Sequence, residues 1–366
     1  MQIKFLDLKK QYSVLKSEID SAVQAVFAEG DFIKGGEVKK FESNFASYCG
    51  ASHCISCGNG TDALTALLKV HDFPQGSEVI LPANTFVATA EAVLANGLKP
   101  VFADISEDFT ISPESVESLI NPKTCAIVAV HLYGHPADME PLKKIAEKHS
   151  LKLFEDAAQA HGAAYRGKKA GALADGAGFS FYPGKVLGAA GDAGAIILND
   201  EKLAEKARKF CNHGRSQKYF HEFAGVNSRM DTLQAAVLNV KLKYLDGWVK
   251  ARNAVAESYI EKLSDVSEIV LPKIHSETTD AWHLFVIKTG KRDELREYLK
   301  SCGIETGIHY PLSLPEQPVF AEHLEYCSDY RAVRESKTLL SLPIGDRKST
   351  RLNSSHILIS RMPSSA

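Results

Sequence analysis

The sequence predicts a mostly parallel seven-stranded α/β sheet covered by helices, with a smaller C-terminal α/β lobe, and three observations carry that expectation. Between residues 50 and 200, short β-branched or aromatic runs alternate with amphipathic stretches, the pattern of strands joined by crossover helices. The runs are apolar through most of their length, as strands buried on both faces are. A chain of 366 residues, 45% hydrophobic and 24% charged, is also long enough for one large α/β domain and a smaller one.

The strand runs are, in order, HCISC (53–57), EVILPA (78–83), KPVFADI (99–105), CAIVAVHLYG (125–134), LKLFED (151–156), GFSFYP (178–183) and AGAIILND (193–200). Gly, Pro, Asn or Asp bounds them. Between them lie the helical patterns TDALTALLKV, TAEAVLANG, SPESVESLI and MEPLKKIAEKH. The third opens with Ser112 as N-cap and Pro113 at the first helical position. From Asp231 a single long helix is expected, because Leu233, Val237, Val240, Tyr244 and Trp248 fall on one stripe, and it should bridge two domains. Beyond it, WHLFVIKTG reads as a strand, RDELREYLKSCG as a helix and HYPLSLPEQP as turns. These elements divide the chain into a large domain with an N-terminal arm (1–235) and an interdomain helix with a small domain (236–345). Residues 346–366 carry six serines and no amphipathic period, and DRKSTRLNSSH reads as a translated sequencing adapter. That tail is set apart as non-native.

Charge and composition exclude several roles. Lys+Arg at 43 against Asp+Glu at 45 leaves a net charge of −2 with no long run of either sign, so neither nucleic acid nor an anionic membrane is an expected partner. No apolar stretch is long enough to span a bilayer and no secretory leader is evident, which makes the cytoplasm the expected address. The 7 cysteines form no disulfide framework, and Cys54 and Cys57 should point to opposite faces of one strand. The 13 histidines show no HExxH or paired ligand spacing, so no catalytic metal is expected.

In an open α/β sheet, ligands bind where strands end at their carboxyl edge and helices begin. Four segments there carry chemistry. In CGNGTDAL (57–64), Gly58 and Gly60 allow close backbone approach, and the helix opened by Thr61 and Asp62 offers free N–H groups to a phosphate. The same glycines with Ala63 match a dinucleotide turn, but Glu78 precedes the next strand instead of ending it, which weakens a nicotinamide-dependent oxidoreductase. In LKLFEDAAQAHGAAY, Asp156 ends an apolar strand and needs a cation or a shared proton unless it caps a helix, and Gln159 lies one helical turn on. In FSFYPGKVLGAAGDAGA, Ser180 and Lys185 flank a Gly-rich bend where a half-buried amine can serve as a Schiff-base nucleophile. In PANTFVATAEAVL, Phe86 can lie flat on a heteroaromatic ring or simply pack in the core.

In that order and combination, the segments resemble the fold-type-I pyridoxal-phosphate enzymes, and specifically the DegT/StrS family of nucleotide-sugar aminotransferases. The motifs that carry the resemblance are GNGTDAL, HLYGHPADM, EDAAQAHGA, SFYPGK with LGAAGDAGA, and GVNSRMDTLQAAVL. By position the resemblance implies that Lys185 forms the Schiff base and Asp156 pairs with the pyridinium nitrogen. Gln159 would meet the ring hydroxyl and Phe86 would stack on the ring. Gly60, Thr61 and Ser180 would hold the phosphate. Asn227 would reach the phosphate of a partner subunit, and His309 and Tyr310 would lie near the pocket mouth. The implied activity is transfer of an amino group from L-glutamate to a nucleotide-linked 3-keto or 4-keto deoxyhexose, in the biosynthesis of amino sugars for surface polysaccharide or glycoconjugates. The resemblance further implies a homodimer with composite sites. Relatives that deoxygenate the sugar carry His at the lysine position, so Lys185 argues for transamination. A non-catalytic regulatory relative is the remaining alternative.

Overall fold

A computed structural model of the chain describes residues 2–323 and 327–345. The adapter-like tail, 346–366, lies outside the described residues. All seven predicted runs form strands of one sheet: β1 His53–Cys57, β2 Glu78–Pro82, β3 Lys99–Ala103, β4 Thr124–Val130, β5 Lys152–Asp156, β6 Gly176–Ser180 and β7 Gly194–Leu198. The spatial order is β1-β7-β6-β5-β4-β2-β3. The five strands from β6 to β3 pair in parallel, while β7 runs antiparallel to both of its neighbours. The sheet is therefore mostly parallel, as expected.

Period-two alternation explains why the strands are apolar throughout. Ile55, Val79, Val128, Phe154 and Ile196 point to a face covered by α3 (Gly60–Lys69), α4 (Ala88–Ala95) and α7 (Glu201–Phe210). On the opposite face, Cys54, Ala177, Phe179 and Ile197 pack on α1 (Leu8–Glu29), α2 (Gly36–Cys49) and α8 (Thr232–Leu242). Farther along that face, Ile80, Ile127 and Leu153 pack on α6 (Met139–His149) and on Val116 of α5 (Pro113–Leu119). Cys54 and Cys57 do lie on opposite faces, and burial pushes both thiols well above the usual range. Ser112 caps α5 as expected, its hydroxyl accepting from the Ser115 N–H at 3.2 Å.

The helix expected from Asp231 is two helices, α8 and α9 (Leu245–Leu263), broken at Lys243 and Tyr244. Residues 235 to 241 of α8 are buried without interruption, so α8 belongs inside the sheet's own core and has no single apolar stripe. The element that connects two cores is α9. Its Leu245, Trp248 and Val249 join the cluster under the sheet, whereas Val255, Tyr259 and Leu263 join a second cluster with Phe285, Ile287, Leu295, Leu299 and Leu340. That second cluster is built by β8 (Phe285–Lys288), antiparallel to β9 (Leu339–Leu342), and by α10 (Arg292–Ser301). Ile3 belongs to it too, bridging Ile304 by backbone, so the first residues pack with the last part of the chain. No helix among the described residues is long and apolar enough to cross a membrane.

Candidate active site

The carboxyl edge of the sheet gathers most of the residues singled out from the sequence. Asp156 is the last residue of β5 and is 5% exposed. It caps no helix, and residues 157–163 form successive turns, so Gln159 is brought in by a turn and not by a helical repeat. One carboxylate oxygen of Asp156 accepts from the Ala158 N–H at 3.1 Å. The other accepts from the Thr89 hydroxyl at 2.7 Å, which fixes the plane of the carboxylate. Thr89 lies on α4, three residues beyond Phe86 in a segment already singled out, but its role has no sequence signature.

Lys185 is half-buried in the loop between β6 and β7, its N–H bonded to the Tyr182 carbonyl at 2.8 Å. Burial lowers its pKa to about 8, with the charge of Asp156 acting in the opposite direction. The free amine is the nucleophile, so the rate at which Lys185 captures a carbonyl should climb with pH up to about 8 and flatten above it. A rate that keeps climbing to pH 10 would show an ordinary solvated lysine.

Gln159 is held at both ends: its Oε1 accepts from the Tyr133 N–H at 2.7 Å, and its Nε2 donates to the Tyr310 hydroxyl at 3.1 Å. Tyr133 makes this possible with φ at +62°, a left-handed conformation uncommon for a bulky residue and often found at functional sites. Burial pushes the Tyr310 phenol up to about 12, and its ring lies 5.8 Å from that of Phe86, which is 53% exposed. His309 donates to or accepts from Ser341 Oγ at 2.8 Å and stacks on Phe5 at 5.7 Å. Burial, then the nearby Lys185 charge, pulls its pKa down to about 4. Two histidines that sequence reading missed, His161 and His283, also sense the Lys185 charge and are pushed down chiefly by burial. His161 is fully buried beside Phe179 and Phe181, its ring 5.4 and 5.5 Å from theirs.

The turn before α3 is built for close approach. Asn59 is the N-cap and its side chain accepts from the Asp62 N–H at 2.8 Å, while the first-turn N–H groups of Gly60 and Thr61 have no intrahelical acceptor. A Cβ on Gly60 would stand 2.6 Å from Ser180 Cβ. Gly60→Ala should therefore push α3 away from β6, lowering stability by about 1–3 kcal/mol and weakening any anion held there. Unchanged melting temperature and phosphate affinity would show that the turn has slack.

Asn227 is exposed and bridges Asn212 by backbone. Neither it nor Ser228 caps α8, whose N-cap is Asp231. Instead the Ser228 hydroxyl donates to Asp62 at 2.6 Å and accepts from the Gly58 N–H at 2.9 Å, tying this segment to the turn before α3. Glu78, the residue a dinucleotide reading would need at a strand's carboxyl end, sits at the amino end of β2 and accepts from Asn121 at 2.7 Å.

The cofactor that the sequence resemblance implies can be tested against these residues. A buried carboxylate with fixed orientation, a lysine of lowered pKa beside it, and a glycine-lined helix start with unpaired N–H groups match the pyridinium, the aldehyde and the phosphate of pyridoxal phosphate. The profile of the DegT/DnrJ/EryC1/StrS aminotransferase family matches residues 13–351. The chain belongs to that family. It is 45% identical over 346 residues to a dTDP-3-amino-3,4,6-trideoxy-α-D-glucose transaminase of Streptomyces venezuelae, covering 94% of this chain and 91% of that protein. It is 46% identical over 321 residues to a dTDP-3-amino-3,6-dideoxy-α-D-galactopyranose transaminase of Aneurinibacillus thermoaerophilus, covering 87% and 88%. Among solved structures it resembles DesV of S. venezuelae in complex with a ketimine intermediate, with a TM-score of 0.94 and 42% identity over 98% of this chain and 97% of that one. As a member of this family the protein is an aminotransferase, which excludes the oxidoreductase reading.

Proposed function

We propose that this aminotransferase uses pyridoxal phosphate to move an amino group from L-glutamate to carbon 3 of a dTDP-linked keto-deoxyhexose, in the cytoplasm. The observation that carries the catalytic part is the Asp156–Lys185 neighbourhood: a carboxylate oriented by Thr89 and Ala158 beside an amine of lowered pKa. The two transaminases named above support the choice of carbon and nucleotide.

Lys185 is the residue to hold the cofactor covalently, Asp156 to keep its ring nitrogen protonated, and Gln159 to meet its hydroxyl. Gly60, Thr61 and Ser180 would hold its phosphate, and Phe86 would cover its ring. When bound, pyridoxal phosphate supplies the electron sink that makes the donor's Cα–H bond acidic. Displaced from the cofactor by the donor's amine, Lys185 Nζ would be free to act as the base that takes the Cα proton, and a pKa near 8 would place it close to working pH. Asp156 would face the ring nitrogen with a carboxylate whose two oxygens are held by the Thr89 hydroxyl and the Ala158 N–H. His309 and Tyr310 would border the sugar's entry. We assign cofactor binding to residues 1–235 and mouth closure to 236–345. Glutamate addition should bleach the visible band of the cofactor-loaded protein, and turnover over a panel of dTDP-, UDP- and GDP-linked 3-keto and 4-keto sugars should favour the dTDP 3-keto member; preference for a 4-keto substrate would overturn the assignment of carbon 3.

The working unit is a homodimer in which Asn227 serves the partner's site. Its exposure within one chain leaves it free to do so, and the Ser228 anchor holds its segment in place. A Lys185→Ala chain mixed with an Asn227→Ala chain should give heterodimers with one intact site and recover part of the lost activity. Heterodimers that form without recovery, or a monomer, would contradict a role in trans.

A further inference from the structure

Beyond the carboxyl ends of β3 and β4, a cluster of ligand-type side chains comes together from three segments remote in sequence. Asp108 lies in the connection from β3 to α5, His135 in the turn after β4, and His275 in the stretch between α9 and β8. One donor atom from each lies within 4.8 Å of the others. We propose that Asp108, His135 and His275 bind one divalent transition ion of the zinc type, a structural site that uses none of the residues assigned to the cofactor.

The surrounding contacts have the form such a site needs. Asp280, itself 5% exposed, has both carboxylate oxygens 2.9 Å from His135 Nδ1, which orients the ring and leaves Nε2 facing Asp108. A carboxylate bonded to the far nitrogen of a ligating histidine is the usual outer support of a metal site. On Asp108, Oδ1 is occupied by the Thr110 N–H at 2.9 Å and hydroxyl at 2.8 Å, and Oδ2 is turned toward His135 Nε2 at 3.5 Å. The imidazole of His275 stands 5.1 Å from that of His135, and its buried Nε2 has no hydrogen-bond partner. A buried ring nitrogen without a partner is costly, and an ion would satisfy it. The backbone at residue 275 is held by Thr278, whose N–H and hydroxyl both reach the His275 carbonyl, and that hydroxyl also donates to Asp280. Two imidazoles and one carboxylate suit zinc, cobalt or nickel better than calcium or magnesium.

Tetrahedral coordination at about 2.1 Å sets donors about 3.4 Å apart, a spacing that Asp108 Oδ2 and His135 Nε2 already have at 3.5 Å, so that only the donor of His275 has to draw closer. A fourth position would face a cavity of about 330 Å³ lined by Phe109, Tyr133, Trp282 and Lys288. The ion would staple the segment leading into β8 to the turn that carries Tyr133, and so to the bond that holds Gln159.

The test uses the full chain loaded with cofactor, stripped with chelator and dialysed against zinc chloride, with bound metal counted per chain. The site predicts one zinc per chain and a rise in melting temperature on adding zinc. Affinity should fall at least about tenfold in Asp280→Asn, the cost typical of losing outer support. His275→Ala and His275→Gln should lose both the stoichiometric zinc and the thermal shift, and because the buried Nε2 of that imidazole makes no hydrogen bond, they should fold without zinc like the parent. No zinc on the parent chain would mean that the cluster is only a protonated histidine between carboxylates. Zinc that persists unchanged in the His275 variants would place it elsewhere. Either result overturns the proposal.

Discussion

Replacing Lys185 with Ala should reduce turnover by at least ~10³-fold, the scale of removing a general base alone, and leave the fold intact. The side chain fills no core volume, and the bond from its backbone N–H to the Tyr182 carbonyl survives the change. Stability should not fall, for a half-buried amine of lowered pKa opposes folding in its charged form. The native state binds fewer protons than the unfolded chain between pH 8 and the ordinary lysine value of 10.5, so the parent gains stability as pH rises through that window. The apo variant should lose that rise. His309, held at about 4 by burial and then by the lysine charge, should titrate at a higher pH once the lysine is gone. A variant that retains turnover, or whose His309 does not move, would place Lys185 outside the reaction and away from the pocket.

Asp156→Asn should retain the cofactor and lose ~10²-fold or more in turnover, because an amide cannot hold a proton on the ring nitrogen by charge. The substitution is structurally mild. An Asn oxygen can still accept from the Ala158 N–H, and the Thr89 hydroxyl, which also contacts Thr85 at 3.1 Å, can turn to accept from the new amide. A melting temperature near that of the parent with collapsed activity would separate chemistry from structure. Near-normal turnover would reduce Asp156 to a turn former.

What could be read from the sequence follows burial. Seven strands were legible because each is buried on both faces and reads as an apolar run bounded by turn residues. The reversed direction of β7 was not, since strand direction depends on where the preceding loop returns and leaves no periodic trace. Nor was the break at Lys243 and Tyr244, because a stripe spaced by three and four continues across a change of helix axis. The places of Lys185, Asp156 and Gln159 were legible through local motifs at strand ends, and the structure brings all three to one edge of the sheet. Thr89, His161, His283 and Ser228 were not, because what sets them apart is a contact made only after folding. The Asp108, His135 and His275 cluster is the extreme case: its members are too far apart in sequence for any ligand-spacing rule to find them.

The central claim, amino transfer to a nucleotide-linked sugar, is tested most directly by isotope. The cofactor-loaded protein is given ¹⁵N-labelled L-glutamate and a dTDP-linked 3-keto-deoxyhexose, and the sugar nucleotide is recovered for mass spectrometry and NMR. The account predicts one ¹⁵N per sugar, attached at carbon 3, with 2-oxoglutarate formed in equal amount and neither product made by Lys185→Ala. Label that never reaches any of the dTDP-, UDP- or GDP-linked keto-sugars, from a protein shown to carry its cofactor, would contradict it.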